Sequence, residues 1–260
     1  MKLYRAYFKL HGILIFSSEI RPMITAGEAM GSYISPSPYI HNYPVMYGLM
    51  GKPSETYFVF PSLHYLDYEE RMWRAPTRRG LQYTSIRKLL EDFKNGRDSF
   101  YVFPLIPTKL VVSSFLLSAE SWSYVIPTRS PTKNVFPRLT SYAAFMPGSE
   151  FETYVVVQGK VKLPEWVRIG KKRWGIFRVD YDEVRVEGVR IERNRVTSIP
   201  INYNDAKFFG FELRSFSKVL ETPNIEEGLI GWAELEECTV IRGTINKDKV
   251  EVCLPIRWGN

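Results

Sequence analysis

Lys2-Leu3-Tyr4-Arg5-Ala6-Tyr7-Phe8-Lys9-Leu10-His11-Gly12-Ile13-Leu14-Ile15-Phe16 opens with the alternation of a β-strand. Tyr4, Ala6, Phe8, Leu10, Leu14 and Phe16 share one face, and Arg5, Tyr7, Lys9 and His11 share the other. A period of two over this length predicts a strand with one core face. The second face is a basic-aromatic ladder. On an open sheet such a ladder suits contact with RNA. It equally suits a polar face covered by a neighbouring loop.

Outward from this strand the pattern is mixed. Ser37-Pro38 reads as an N-cap followed by a helix-starting proline. It predicts a helix from Pro38 to about Met50, ended by Gly51, with Pro44 kinking it or delaying its start. A second helix is predicted over Thr84–Asn95, with Ile86, Leu89, Leu90 and Phe93 on one stripe and Gly96 as its stop. Alternation returns late in the chain. Strands are predicted at Tyr154–Val157, Arg178–Val186, Ala206–Leu213 and Lys249–Trp258, with Gly188 marking a bulge or turn. Long alternating strands at both ends and a short helix after the first predict an α+β fold. The proline-dense region from 53 to 147 predicts an insertion into a single domain, whose core is 1–52 and 148–260.

At 260 residues, 45% hydrophobic and 24% charged, the chain has ordinary globular composition. Its net charge of +7 and pI near 9.3 favour a polyanionic partner. The three histidines are scattered and there is no CxxC, which argues against a zinc site. Neither a metal nor another cofactor is expected. Cys238 and Cys253 are expected to be reduced thiols in a cytoplasmic protein. Glutamine occurs only at 82 and 158, a composition that leans towards a thermophilic source, where an internal disulfide would be less surprising. Met1-Lys2 is followed by Arg5 and Lys9, so no secretory h-region forms, and Ile13–Phe16 is too short to span a membrane.

The richest chemistry lies in Lys160-Val161-Lys162-Leu163-Pro164-Glu165-Trp166-Val167-Arg168-Ile169-Gly170-Lys171-Lys172-Arg173-Trp174-Gly175-Ile176-Phe177-Arg178-Val179. Seven cations stand against one acid, with Trp166, Trp174 and Phe177 between them. Lysine and arginine neutralise phosphates, and tryptophan faces stack on unpaired bases. Gly170 and Gly175 bracket the densest part, where a glycine-flanked loop lets backbone N–H groups approach an anion. The pattern points to a single-stranded nucleic acid. A solvated basic hairpin with two half-buried tryptophans has the same sequence signature. Two further basic loops, Arg71–Arg79 and Arg129–Arg138 with Lys133 between, lie in the inserted region.

Three segments in this order resemble a known family. They are Tyr4-Arg5 through Leu10-His11 to Phe16 with Glu19, then Tyr39-Ile40-His41-Asn42-Tyr43 with Met46-Tyr47-Gly48-Leu49, then Leu163-Pro164-Glu165-Trp166-Val167-Arg168-Ile169-Gly170-Lys171-Lys172. Together they look like the subunit of type I-D CRISPR effector complexes that belongs to the fifth Cas family. Pro44 stands where the family would have alanine. The resemblance implies a ferredoxin-like (RRM-like) antiparallel core with a thumb-like insertion. It implies a non-catalytic subunit that grips the 5′ handle of crRNA and caps the foot of the complex. It further implies contact with the backbone subunit of the seventh Cas family, a place beside the large subunit, and nearness to target DNA at the PAM. The RNA-binding residues it implies are Arg168, Gly170, Lys171, Lys172 and Arg173, with His41, Asn42 and Tyr43 at the family's helix start. Lys160, Lys162 and Trp174 join them on chemistry, and Arg129, Lys133 and Arg138 form a second candidate group.

Two other readings stay open. Some relatives cleave precursor crRNA without metal, which needs a base near a 2′-OH and a cation for the developing charge. His41, Tyr43 and Lys171 or Lys172 have suitable side chains. Alternatively, the basic charge merely suits a ribonucleoprotein neighbourhood, and the many tyrosines serve protein contacts.

Overall fold

The alternating N-terminus becomes strand β1 (Lys2–Leu10) in the computed structural model, which describes residues 1–15, 19–22, 32–35, 38–50, 84–118, 139–170, 174–221 and 229–259. Strands β2 (Glu19–Pro22) and β3 (Ser32–Ser35) follow, then helix α1 (Asn42–Met50). The helix starts later than Ser37-Pro38 suggested, because Pro44 lacks an N–H and fits only in the first turn. The cap is His41, whose Nδ1 accepts from the Tyr43 N–H at 3.1 Å. Helix α2 (Thr84–Lys94) lies where its stripe placed it, with Ile86, Leu90 and Phe93 buried.

Strands β4 (Ser99–Val102), β5 (Ile106–Lys109), β6 (Val112–Ser118), β7 (Leu139–Phe145), β8 (Glu150–Gln158) and β9 (Trp166–Ile169) lead to the longest element, β10 (Gly175–Val196). Strand β11 (Ile201–Asn202), helix α3 (Tyr203–Phe208), and strands β12 (Leu213–Glu221), β13 (Leu229–Ile245) and β14 (Asp248–Leu254) complete it. The main sheet has ten strands in the path β11-β13-β10-β1-β8-β4, with β9 on β10, β5 on β8, and β12 and β14 on β13. A second sheet runs β2-β3-β7-β6.

This corrects the expected ferredoxin-like α+β core. Among the described residues the chain is mostly β, 58% strand and 15% helix, and its antiparallel main sheet curls into a half-barrel. The cause is strand length. β10 runs 22 residues and β13 runs 17, so β10 pairs with β1 along its first half and with β13 along its second. The register shift within the β10–β13 ladder falls between Val186 and Gly188, where the phase break at Gly188 predicted a bulge or turn. A twisted sheet this wide closes on itself instead of lying flat under two helices. Part of the region expected to form an insertion is core here: β4 and β5 pair with β8, and Phe100, Tyr101, Phe103 and Leu105 are buried. Residues 51–83 and 119–138 lie outside the described residues, as does the Gly51 helix stop.

Two local expectations fail for clear reasons. Ala206–Leu213 is not one strand. Asn202 accepts from the N–H groups of Asn204 and Asp205 and starts α3, so cap chemistry overrides a weak alternation. Cys238 and Cys253 are not free thiols; they are bonded, with Cα atoms 5.8 Å apart. Because Val240 opposes Cys253 across the β13–β14 ladder, Cys238 is its diagonal neighbour on the same face, within disulfide reach.

Candidate nucleic-acid interface

The basic segment folds into an antiparallel hairpin at one end of the main sheet. Arg178 opposes Trp166, Phe177 opposes Val167, and Ile176 opposes Arg168. Alternation then sorts the side chains: Val167, Ile169, Phe177 and Val179 are buried, while Trp166, Arg168 and Arg178 are exposed. The hairpin base is fixed from both sides. The Tyr181 hydroxyl, which burial keeps protonated, donates to Pro164 O at 2.8 Å. The Val179 N–H donates to Glu165 O at 2.8 Å. Behind it, α1 packs against β9.

The two glycines have a structural reason as well as a chemical one. Gly170 sits at φ +82°, a left-handed conformation costly to other residues, and a Cβ there would come within 2.5 Å of Leu14 Cδ1. At Gly12 a Cβ would meet the Trp174 carbonyl oxygen at 2.1 Å. The chain leaving β1 therefore runs hard against the hairpin, and His11 and Gly12 both donate backbone N–H groups to Ile176 O.

That proximity unites two features the sequence shows far apart. The polar ladder of β1 and the outer side of the hairpin are one surface. Registers align Trp166, Arg178, Lys9 and Glu150 in a single row across β9, β10, β1 and β8. Trp166 to Lys9 therefore spans about 10 Å, two interstrand spacings. Trp166 is 53% exposed and Trp174 is 40% exposed. The His11 ring lies 5.2 Å from that of Trp166. Towards the other end of β1 the face turns acidic, with Glu152 and Asp180 opposite Tyr7.

Charge is unevenly matched across this face. Arg5 is tied to Glu152 at 2.6 Å. Lys9 to Glu150 at 3.9 Å and Arg178 to Asp180 at 3.4 Å are loose, exposed pairs that add little stability and exchange readily for phosphate. Lys160 and Lys162 are exposed on the loop into β9. With Arg168, they make no ion pair among the described residues. Lys171, Lys172 and Arg173, between β9 and β10 in the sequence, lie outside the described residues, as do Arg129, Lys133 and Arg138.

His41, Asn42 and Tyr43 are elsewhere. They are 5%, 0% and 8% exposed; His41 caps α1, and Asn42 and Tyr43 belong to an interior polar knot. The carboxylate of Asp205, on α3, accepts from the Tyr43 hydroxyl at 2.5 Å, the Tyr101 hydroxyl at 2.8 Å and Asn42 Nδ2 at 2.8 Å. Asn202 Nδ2 donates in turn to Asn42 Oδ1 at 3.2 Å. The knot ties α1, β4 and α3 together. Lys9, His11, Trp166 and Arg178 lie on this face but were absent from the sequence-derived site; the outward parity of β1, β9 and β10 was their signal.

A β-rich fold with a basic-aromatic sheet face, no helix of which, among the described residues, is long and apolar enough to cross a membrane, defines the structural class. The sequence matches the family described as type I-D CRISPR-associated protein Cas5/Csc1 over residues 1–258. The chain belongs to that family. Comparison with curated proteins gave no match.

Proposed function

We propose that this chain is a non-catalytic subunit of a type I-D RNA-guided effector complex that holds the 5′ handle of crRNA on the outer face of β9, β10 and β1. One observation carries the reading: the exposed Trp166 and the cations Lys9, Arg168 and Arg178 share a single sheet face, with the exposed Trp174 directly before β10. Phosphate contacts would position the strand, and the aromatic rings would take unpaired bases. The handle end of the complex is the place such a face suits. There the chain would cap the foot of the filament, against the backbone subunit of the seventh Cas family and beside the large subunit.

The test is direct. Purified protein is titrated with its cognate repeat RNA, with a handle-scrambled RNA and with duplex RNA, then incubated with the cognate RNA in EDTA. Preferential binding of the intact handle, with the RNA recovered uncut, is the expected result. Equal affinity for all three RNAs removes the handle assignment. Cleavage in EDTA replaces the binder with a metal-independent nuclease.

A further inference from the structure

Resting on that reading, the geometry points to Trp166 as the surface on which one unpaired handle base stacks, and to His11 as the positioning residue that holds its indole; we propose this pair as the base-stacking element of the face. Trp166 sits on β9, an edge strand at this end of the sheet, and leaves 53% of its surface exposed. The His11 ring, tilted 54° at a centroid distance of 5.2 Å, packs on one side of the indole. His11 is itself anchored by its backbone N–H to Ile176 O at 2.8 Å. The pair is therefore fixed from β9 and from the chain leaving β1, bonded to β10, which limits the orientations of the ring before any ligand arrives.

The surroundings favour a nucleic-acid base over a protein side chain. Arg178 stands directly across the ladder from Trp166 and Lys9 stands next in the row. Arg168 lies two residues along the same face of β9. An apolar docking patch would surround the tryptophan with further apolar side chains, whereas here it is an apolar platform among cations, the arrangement that binds a base and its flanking phosphates together.

The experiment compares handle RNA binding, salt dependence and melting temperature for the full-length wild type and for Trp166→Ala, Trp166→Phe, His11→Ala and Arg168→Glu. A series of RNAs, each with one abasic site in the handle, is titrated alongside. Trp166→Ala is expected to weaken binding by about 5- to 150-fold with an unchanged salt slope and melting temperature. Trp166→Phe should recover most of it, and His11→Ala should give a smaller loss. One abasic position should weaken the wild type but not Trp166→Ala, which marks the stacked base. If Arg168→Glu weakens binding while Trp166→Ala does not, the stacking site is overturned and the RNA-binding face stands. If neither change alters RNA affinity, the RNA reading of the face fails with it. If Trp166→Ala leaves RNA affinity intact but abolishes co-purification with other subunits, the ring docks protein, and the proposal is wrong.

Discussion

Asp205 is a buried carboxylate without a cationic partner among the described residues, and three donors aim at it. Burial raises its pKa from 3.8 to about 6, and the hydrogen bonds from Tyr43, Tyr101 and Asn42 limit the rise. The sign of the consequence follows. Between roughly pH 4 and 6 the folded state binds this proton more than the unfolded state does, so its contribution to stability falls as pH rises through that window. Above the window the ionised, enclosed group costs roughly 3 kcal/mol relative to its protonated form. Asp205→Asn should therefore flatten the stability profile over this range relative to wild type, as read by urea melts at several pH values. Parallel profiles for the two proteins would mean the carboxyl does not titrate there. Asp205→Ala should cost about 3–5 kcal/mol at neutral pH, because it strands buried donors from α1 and β4. Asn42 and Tyr43 were legible in the sequence as a distinctive run, but not their role, since Asp205 lies 163 residues from Asn42. No local pattern encodes that pairing, and a polar run at a helix start looks the same whether it meets solvent or a distant carboxylate.

Strands whose two faces differ were legible element by element, and elements set by single contacts were not. β1 and β10 announce themselves by alternation, and α2 by its apolar stripe. The end of β1 at Leu10, short of the predicted Phe16, is decided by Gly12, where the backbone turns close along the start of β10. Gly12→Ala would push a methyl into the Trp174 carbonyl, so it should destabilise the fold by about 1–3 kcal/mol or more and loosen the hairpin that carries Trp166. Denaturant midpoints check the first effect, and indole emission from the hairpin checks the second. A wild-type midpoint would show that the chain can part from β10 at little cost. The β13–β14 hairpin offers a second case. Asn246 and Lys247 both have positive φ, giving the two-residue turn whose twist matches the strands, and this brings Cys238 and Cys253 onto one face. Their bond spans 15 residues, worth about 3 kcal/mol in the chain-entropy account. Replacing both by alanine should lower the melting temperature by about 6–12 °C. No change in melting temperature would show that the bond adds nothing to folding. Pairing was illegible because the diagonal relation of the two residues exists only in the register.

At the scale of the molecule, the family was legible from three motifs and the architecture was not. Alternating segments establish that a sheet exists; they do not fix how many strands join it or how far it curls. Here one sheet of ten strands gathers the first strand and the basic segment, more than 150 residues apart, into one face. This joins two weak signals, each compatible with an ordinary solvated surface, into a single cationic and aromatic surface. The net charge of +7 therefore matters by its placement. Lys160, Lys162 and Arg168 are exposed and make no ion pair among the described residues, so reversing all three to glutamate should leave folding nearly unchanged. Every phosphate of a single strand that the protein ceases to neutralise lowers the log–log salt slope by roughly 0.7, so the triple variant should bind RNA more weakly with a slope about 2 smaller. Weaker binding with an unchanged slope would point to local misfolding instead of fewer neutralised phosphates. Unchanged affinity and slope would take these three cations out of the RNA path and leave Lys9 and Arg178, one row further across the sheet, as the phosphate-binding cations to test next.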